Sequence, residues 1–251
     1  MEAERHQTKK ELFVAIDHGL SFPETVGLER PVELLQKLAF LPEVDGFIAT
    51  SGMYRQAKRQ GLDLSRLVKL ITVDCVIADE QGGLAQRKTV VTPEYAASLG
   101  VDTYKMFLNI YEDPQQLMDN IQDLSRFIMV GKTTGVTTLA EIMFFNNRRF
   151  LDPSLQAQEL YRGCRIAMEL GADILKVPLI ADLDALGEII EKVNLPTYIL
   201  GGKASPFFDD LLKTVASLKQ LPIRGLMFGR NLWQYSNMDE RVHLLAECLK
   251  D

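Results

Sequence analysis

Short apolar runs alternate with amphipathic stretches along all 251 residues, and that rhythm limits the fold more than any single motif does. Eight runs read as strands: Leu12–Ile16, Gly46–Ala49, Val68–Val73, Thr103–Leu108, Thr138–Phe144, Asp173–Val177, Pro196–Leu200 and Gly225–Phe228. Helical spacing fills the gaps: Pro31–Phe40, Met53–Gln60, Pro93–Leu99, Pro114 to about Val130, Pro153–Leu170, Leu183–Val193, Pro206–Leu218 and Met238 to Leu249. Proline opens several of these helices, where its missing N–H costs nothing. Asp113 and Asp152 are expected N-caps, and Gly171 an expected helix stop.

Eight strand–helix units in this length predict an α/β fold, a single (β/α)8 TIM barrel. An open doubly wound sheet would want a GxGxxG turn after the first strand, and the chain has Asp17-His18-Gly19 there. The stretch Cys75 to Thr92, with Gly82-Gly83, reads as an excursion over one end of the fold. No linker or low-complexity tract divides the chain. Residues 1–251 are expected to form one domain, with a short segment, 1–11, before the first strand.

A net charge of −6 speaks against nonspecific binding to nucleic acid or an anionic membrane. Three scattered cysteines give neither a disulfide framework nor a zinc-ribbon spacing. The polar start of the chain lacks the apolar core of a signal peptide, and no apolar run is long enough to span a bilayer. Together these imply a reduced, soluble, cytoplasmic protein.

Barrel enzymes gather their chemistry where strands end. Here the strand ends carry Asp17, Thr50 or Ser51, Asp74, Lys105, Glu141, Lys176, Gly201-Gly202-Lys203 and Gly229-Arg230. Lys176 closes the run Gly171-Ala172-Asp173-Ile174-Leu175-Lys176. Burial favours the neutral amine, which is a nucleophile toward carbonyls. The plain alternative is a packed stem with its amine in solvent. Lys105 is placed similarly. Either the two lysines depress the pKa of the more buried one, or Lys105 pairs with a carboxylate or a substrate phosphate. Glu141, inside an apolar run, calls for a lysine partner, Lys105 or Lys176.

Asp17 could move protons or pair with a lysine across the barrel, and Gly19 behind it allows close approach of a ligand. His18 is a candidate acid or substrate contact, or a hydrogen-bonded loop residue. Gly201, Gly202 and Lys203 follow the seventh strand, and Gly229 and Arg230 the eighth, where barrels commonly take phosphate. Both glycine sites could also be ordinary turns. Three dispersed histidines argue against a zinc site, so neither metal nor cofactor is expected. A magnesium site of Asp17, Asp74 and Glu141 is the alternative.

The segments AIDHGL, GADILKVP, LGGKAS and GLMFGRNLWQ occur in the order and spacing of archaeal-type class I fructose-bisphosphate aldolases, and the chain resembles that family over nearly its whole length. The wider group holds deoxyribose-phosphate and tagatose-bisphosphate aldolases, and GVDTYKMFLNIY is similar to the fourth-strand region of the latter. The resemblance implies Lys176 as Schiff-base residue, Asp17 as active-site aspartate, and Gly201, Gly202, Gly229 and Arg230 as phosphate-binding positions. It also implies a homo-oligomer acting on a phosphorylated small molecule. The family often carries an acid–base tyrosine at the end of its fifth strand. Counting back from Lys176 puts Phe145 at or near it, which leaves Glu141, Tyr104 and Lys105 as candidates for that role. The reading is a metal-independent class I aldolase. Its alternatives are a lysine-dependent transferase or thiolase-like enzyme of the same fold, and a noncatalytic phosphate-metabolite-binding barrel.

Overall fold

The computed structural model describes residues 9–22, 25–78, 84–145 and 147–250. Its eight barrel strands are β1 (Glu11–Ala15), β2 (Gly46–Thr50), β3 (Val68–Thr72), β6 (Thr103–Asn109), β7 (Thr137–Met143), β8 (Ile174–Val177), β9 (Thr197–Leu200) and β10 (Gly225–Phe228). Two further strands, β4 (Asp74–Ala78) and β5 (Leu84–Thr89), form an antiparallel hairpin between β3 and the next helix. The eight close into a parallel barrel in the ring order β1-β10-β9-β8-β7-β6-β3-β2. This is the (β/α)8 barrel that the alternation predicts.

Helices α1 (Pro31–Phe40), α2 (Ser51–Arg59), α3 (Pro93–Ser98), α4 (Pro114–Thr134), α5 (Arg148–Leu151), α6 (Gln156–Leu170), α7 (Leu183–Val193), α8 (Phe208–Leu218), α9 (Arg230–Trp233) and α10 (Met238–Leu249) connect the strands. Outward strand residues such as Tyr104, Met106, Ala140, Ile142, Leu175 and Val177 bury themselves against this helical layer. Inward residues Phe13, Leu70, Leu139, Tyr198 and Met227 plug the interior. Strand alternation then puts Lys105 and Phe107 of β6, Glu141 and Met143 of β7, and Lys176 of β8 on the inner face.

Local chemistry explains most boundaries. Asp113 accepts from the Gln116 N–H at the start of α4, and Gly135, at φ +75°, ends that helix in a left-handed conformation. Asp152 is a correction. It does not cap a helix from Pro153 to Leu170: it follows the short α5, and α6 begins at Gln156 without a side-chain cap. The excursion after β3 is a strand pair, β4 and β5. The tip with Gly82-Gly83 lies outside the described residues, as do residues 1–8, including His6. Among the described residues no helix is long and apolar enough to cross a membrane.

Candidate active site

The C-terminal mouth of the barrel opens into a cavity of about 360 Å³. Asp17, His18, Lys105, Glu141, Lys176, Gly201, Gly202, Lys203, Gly229 and Arg230 all line it, whereas Asp74, Tyr104 and the helix-capping Thr50 with Ser51 do not. Lys105 and Glu141 are not at strand tips, however. Each sits within its strand, one layer down, where the inward face carries charge in place of aliphatic packing.

That layer is an alternating row of charges. Glu141 pairs in register with Lys176 across β7 and β8. Its Oε1 lies 2.8 Å from Lys176 Nζ, and its Oε2 2.8 Å from Lys105 Nζ. Lys105 Nζ lies in turn 3.4 Å from Asp17 Oδ2 and donates to Thr72 Oγ1 at 3.3 Å. Asp17 Oδ1 is 3.7 Å from His18 Nδ1. Lys105 is 1% exposed and Lys176 5%. Removed from water, such groups persist as ions only through one another.

Lys105, the more buried lysine, departs from the expectation of a depressed pKa. Burial opposes the charge on Lys105, but the attraction of Glu141, Asp17 and Asp74 outweighs it and holds its pKa above the usual lysine range. Lys105 is the more buried of the two lysines and a fixed cation. Burial acts against Glu141 and Asp17 as carboxylates, and the neighbouring lysines overcome it, holding both below their ordinary values. His18 goes the other way. Desolvation pushes it down to about 4 despite Asp17, and its buried Nδ1 has no hydrogen-bond partner among the described residues. At neutral pH it is an uncharged imidazole, held edge-on to Trp233.

Tyr104 is excluded from the acid–base role. It points outward, away from Lys105, and its hydroxyl donates to the Pro93 carbonyl beneath the helices. The magnesium alternative also fails on geometry. Asp74 is held by Arg87 Nε at 2.6 Å and by the Phe107 N–H, while Asp17 and Glu141 each face a lysine. Among the described residues no group of three His, Cys, Asp or Glu side chains could hold a metal ion.

The two glycine sites lie side by side on β9 and β10. Gly229 is tightly constrained: a Cβ there would stand 2.5 Å from the Ala15 carbonyl oxygen and 2.6 Å from His18 Cε1. Gly202 has φ +64°, the left-handed region that favours glycine. Arg230 has no ion-pair partner among the described residues, and its buried Nε has no acceptor. Desolvation lowers its pKa, so an incoming anion would relieve an unmet charge. Lys203 is exposed beside it.

Sequence reasoning missed three features. Asn231 ties the glycine sites together, donating from Nδ2 to the carbonyls of Gly201 (2.6 Å) and Lys203 (3.2 Å) and accepting from the Ser205 N–H at 2.7 Å. Its position directly after Arg230 was the available signal. Asn109 clamps the segment after β7, accepting from the Phe145 N–H at 2.7 Å and donating to its carbonyl at 3.1 Å. Val76, Phe107, Met143 and Phe145 form an apolar wall, unmarked in the sequence because such residues look like core. Phe145, at or near the expected tyrosine, is part of that wall.

Known proteins are similar to this chain in sequence and in fold. An uncharacterised aldolase of Saccharolobus solfataricus is 24% identical over 246 residues, 96% of this chain and 89% of that protein. A 2-amino-3,7-dideoxy-D-threo-hept-6-ulosonate synthase of Archaeoglobus fulgidus is 24% identical over 234 residues, 93% of this chain and 82% of that one. In structure, an archaeal fructose-1,6-bisphosphate aldolase, solved with its catalytic lysine bound to a carbinolamine intermediate, superposes with a TM-score of 0.80. It is 20% identical, over 96% of this chain and 94% of that one, which establishes a common fold. The sequence matches the Cgl0159-like family over residues 4–243, and the chain belongs to that family.

Proposed function

We propose that the chain is a class I aldolase that makes or breaks a C–C bond in a phosphorylated sugar or keto compound through an imine on Lys176. One observation carries this reading: a buried lysine amine faces a ligand-sized cavity, 2.8 Å from a carboxylate, in a space that also holds an arginine with no ion-pair partner among the described residues.

Imine formation needs an unprotonated amine, and Glu141 is the acceptor within reach of the Lys176 proton. The amine nitrogen adds to the substrate carbonyl carbon, and the carbonyl oxygen takes up a proton. Loss of that oxygen as water gives the iminium. Ionised Asp17 is suited to take the proton from the substrate hydroxyl beyond the adjacent carbon. The electrons of the C–C bond then move into the iminium, the aldehyde leaves and an enamine remains. Protonation and hydrolysis return the amine. Lys105 stays charged throughout and favours the ionised form of both carboxylates before each takes up its proton. Phe145 transfers no proton, so the exchange falls to Glu141, Asp17 and neutral His18.

Arg230 and the glycine sites would fix the phosphate and hence the carbonyl. Positioning of this kind lowers a barrier by up to about 7–11 kcal/mol. The names of the relatives, an aldolase and a synthase, support the same chemistry run in either direction. Borohydride reduction in the presence of dihydroxyacetone phosphate, followed by peptide mapping, tests the reading. A reduced adduct on Lys176, absent from Lys176→Met, is expected. An adduct on another lysine, or full turnover by Lys176→Met, would refute it.

A further inference from the structure

The cavity has two chemically opposed halves. In the ring of strands β10 stands diametrically opposite β6, β1 opposite β7, and β9 opposite β3. Gly201 and Gly202 follow β9, Gly229 and Arg230 follow β10, and His18 follows β1. Facing them are Phe107 on β6, Met143 and Phe145 at the end of β7, and Val76 on the hairpin after β3. These four pack as one apolar cluster, with the Phe107 and Phe145 rings edge to face at 6.4 Å between centroids.

Among the residues that line the cavity, no free cation stands on that side. Arg87, the buried guanidinium of the hairpin, is taken up by Asp74 at 2.6 Å and Asp123 at 2.9 Å. Lys105 sits 3.1 Å over the Phe107 ring but is bound to Glu141 and Asp17. A phosphate pressed against this wall would lose its hydration and meet two rings, a thioether, the Val76 side chain and one neutral hydroxyl, that of Ser21, which already accepts from the Val76 N–H at 3.2 Å. A chain hydroxyl seated on the Phe107 and Phe145 rings, away from Ser21, would be stranded in the same way.

We propose that the substrate carries a single phosphate, held by Arg230, and that the end across Lys176 from it is an unoxygenated alkyl or aryl group seated on Phe107, Met143 and Phe145. The site thus selects against sugar bisphosphates. The inference rests on the Schiff-base reading for the carbonyl between the two ends, but the selection itself is a binding property of the cavity.

Inert ligands test it without catalysis. Pentyl phosphate is expected to bind roughly tenfold or more tightly than 5-hydroxypentyl phosphate or pentane-1,5-diyl bisphosphate by calorimetry. Phe145→Lys places a cation on the wall while Asn109 still clamps the backbone, and is expected to reverse the order for the bisphosphate. Arg230→Met is expected to abolish binding of pentyl phosphate. Equal or tighter binding of the bisphosphate by the unaltered protein overturns the proposal, as does failure of every alkyl phosphate to bind. Borohydride trapping separates this from the parent reading. An imine on Lys176 with the bisphosphate preferred sinks only the apolar end, and the expected order with no imine sinks only the aldolase.

Discussion

Glu141 and Lys176 are register partners on adjacent strands, and a carboxylate oxygen of Glu141 lies 2.8 Å from the Lys176 amine. The second oxygen is engaged equally closely by Lys105, so the carboxylate cannot turn away. Glu141→Gln keeps the shape and removes the proton acceptor. Imine formation is expected to slow by about 10²–10⁴-fold. The measurement is the rate of borohydride-trapped adduct at neutral pH. An unchanged rate would remove Glu141 from the proton path.

Lys105→Met leaves Asp17 and Glu141 buried together without their shared cation. Removing one partner of a buried charge pair costs about 3–5 kcal/mol. Both carboxylates should titrate higher, because Lys105 is the foremost charge holding each of them down. The acid limb of the pH–kcat/KM profile is therefore expected to move to higher pH, together with a fall in Tm. A lower Tm with an unmoved profile would make Lys105 a scaffold residue only.

His18 gives the fold a pH dependence distinct from that of the carboxylates. Its pKa is about 4 when folded, against an ordinary 6.5. Between these values the unfolded chain binds a proton that the folded chain does not, so stability falls as pH drops through that window. The full difference corresponds to roughly 3 kcal/mol. Asp17 and Glu141, with depressed pKa values, hold their stabilisation above their unfolded values and lose it only at lower pH. His18→Gln is expected to flatten the decline in Tm between pH 6.5 and 4.5. Parallel curves for the two proteins would contradict a buried neutral imidazole.

The sequence revealed whatever depends on periodicity. Alternation is local, so it located eight strands to within a residue or two and placed Lys176 near the end of one of them. It could not show depth: Lys105 and Glu141 read as rim residues and prove to be a buried layer. It could not separate Tyr104 from Lys105 by function, although one residue of offset sends them to opposite faces of the strand. The apolar wall was hidden for the opposite reason. Phe107 and Met143 have the composition of core, and only ring closure shows that they face a cavity. Asn231 was visible as a letter, but its three hydrogen bonds to the neighbouring loop arise from tertiary contact.

Asn231 supplies the last test, because it acts on the phosphate site without facing the reacting carbon. Its amide closes the gap between the loops after β9 and β10, and its own carbonyl accepts from Arg241 Nη1 at 3.1 Å. Asn231→Ala would free the Gly201 carbonyl and the Ser205 N–H, each lost bond costing about 1–3 kcal/mol where the group stays buried. The glycine backbone would then no longer be held beside Arg230. KM for a phosphorylated substrate is expected to rise roughly tenfold or more, with kcat changing less, since remote binding energy is lost before the chemistry is touched. Trapping of an unphosphorylated ketone on Lys176 should be unaffected. Asn231→Asp, which keeps the acceptor for Ser205 but loses both donors, should fall between the two. Equal losses on phosphorylated and unphosphorylated compounds would show that Asn231 supports the barrel as a whole and not the anion site.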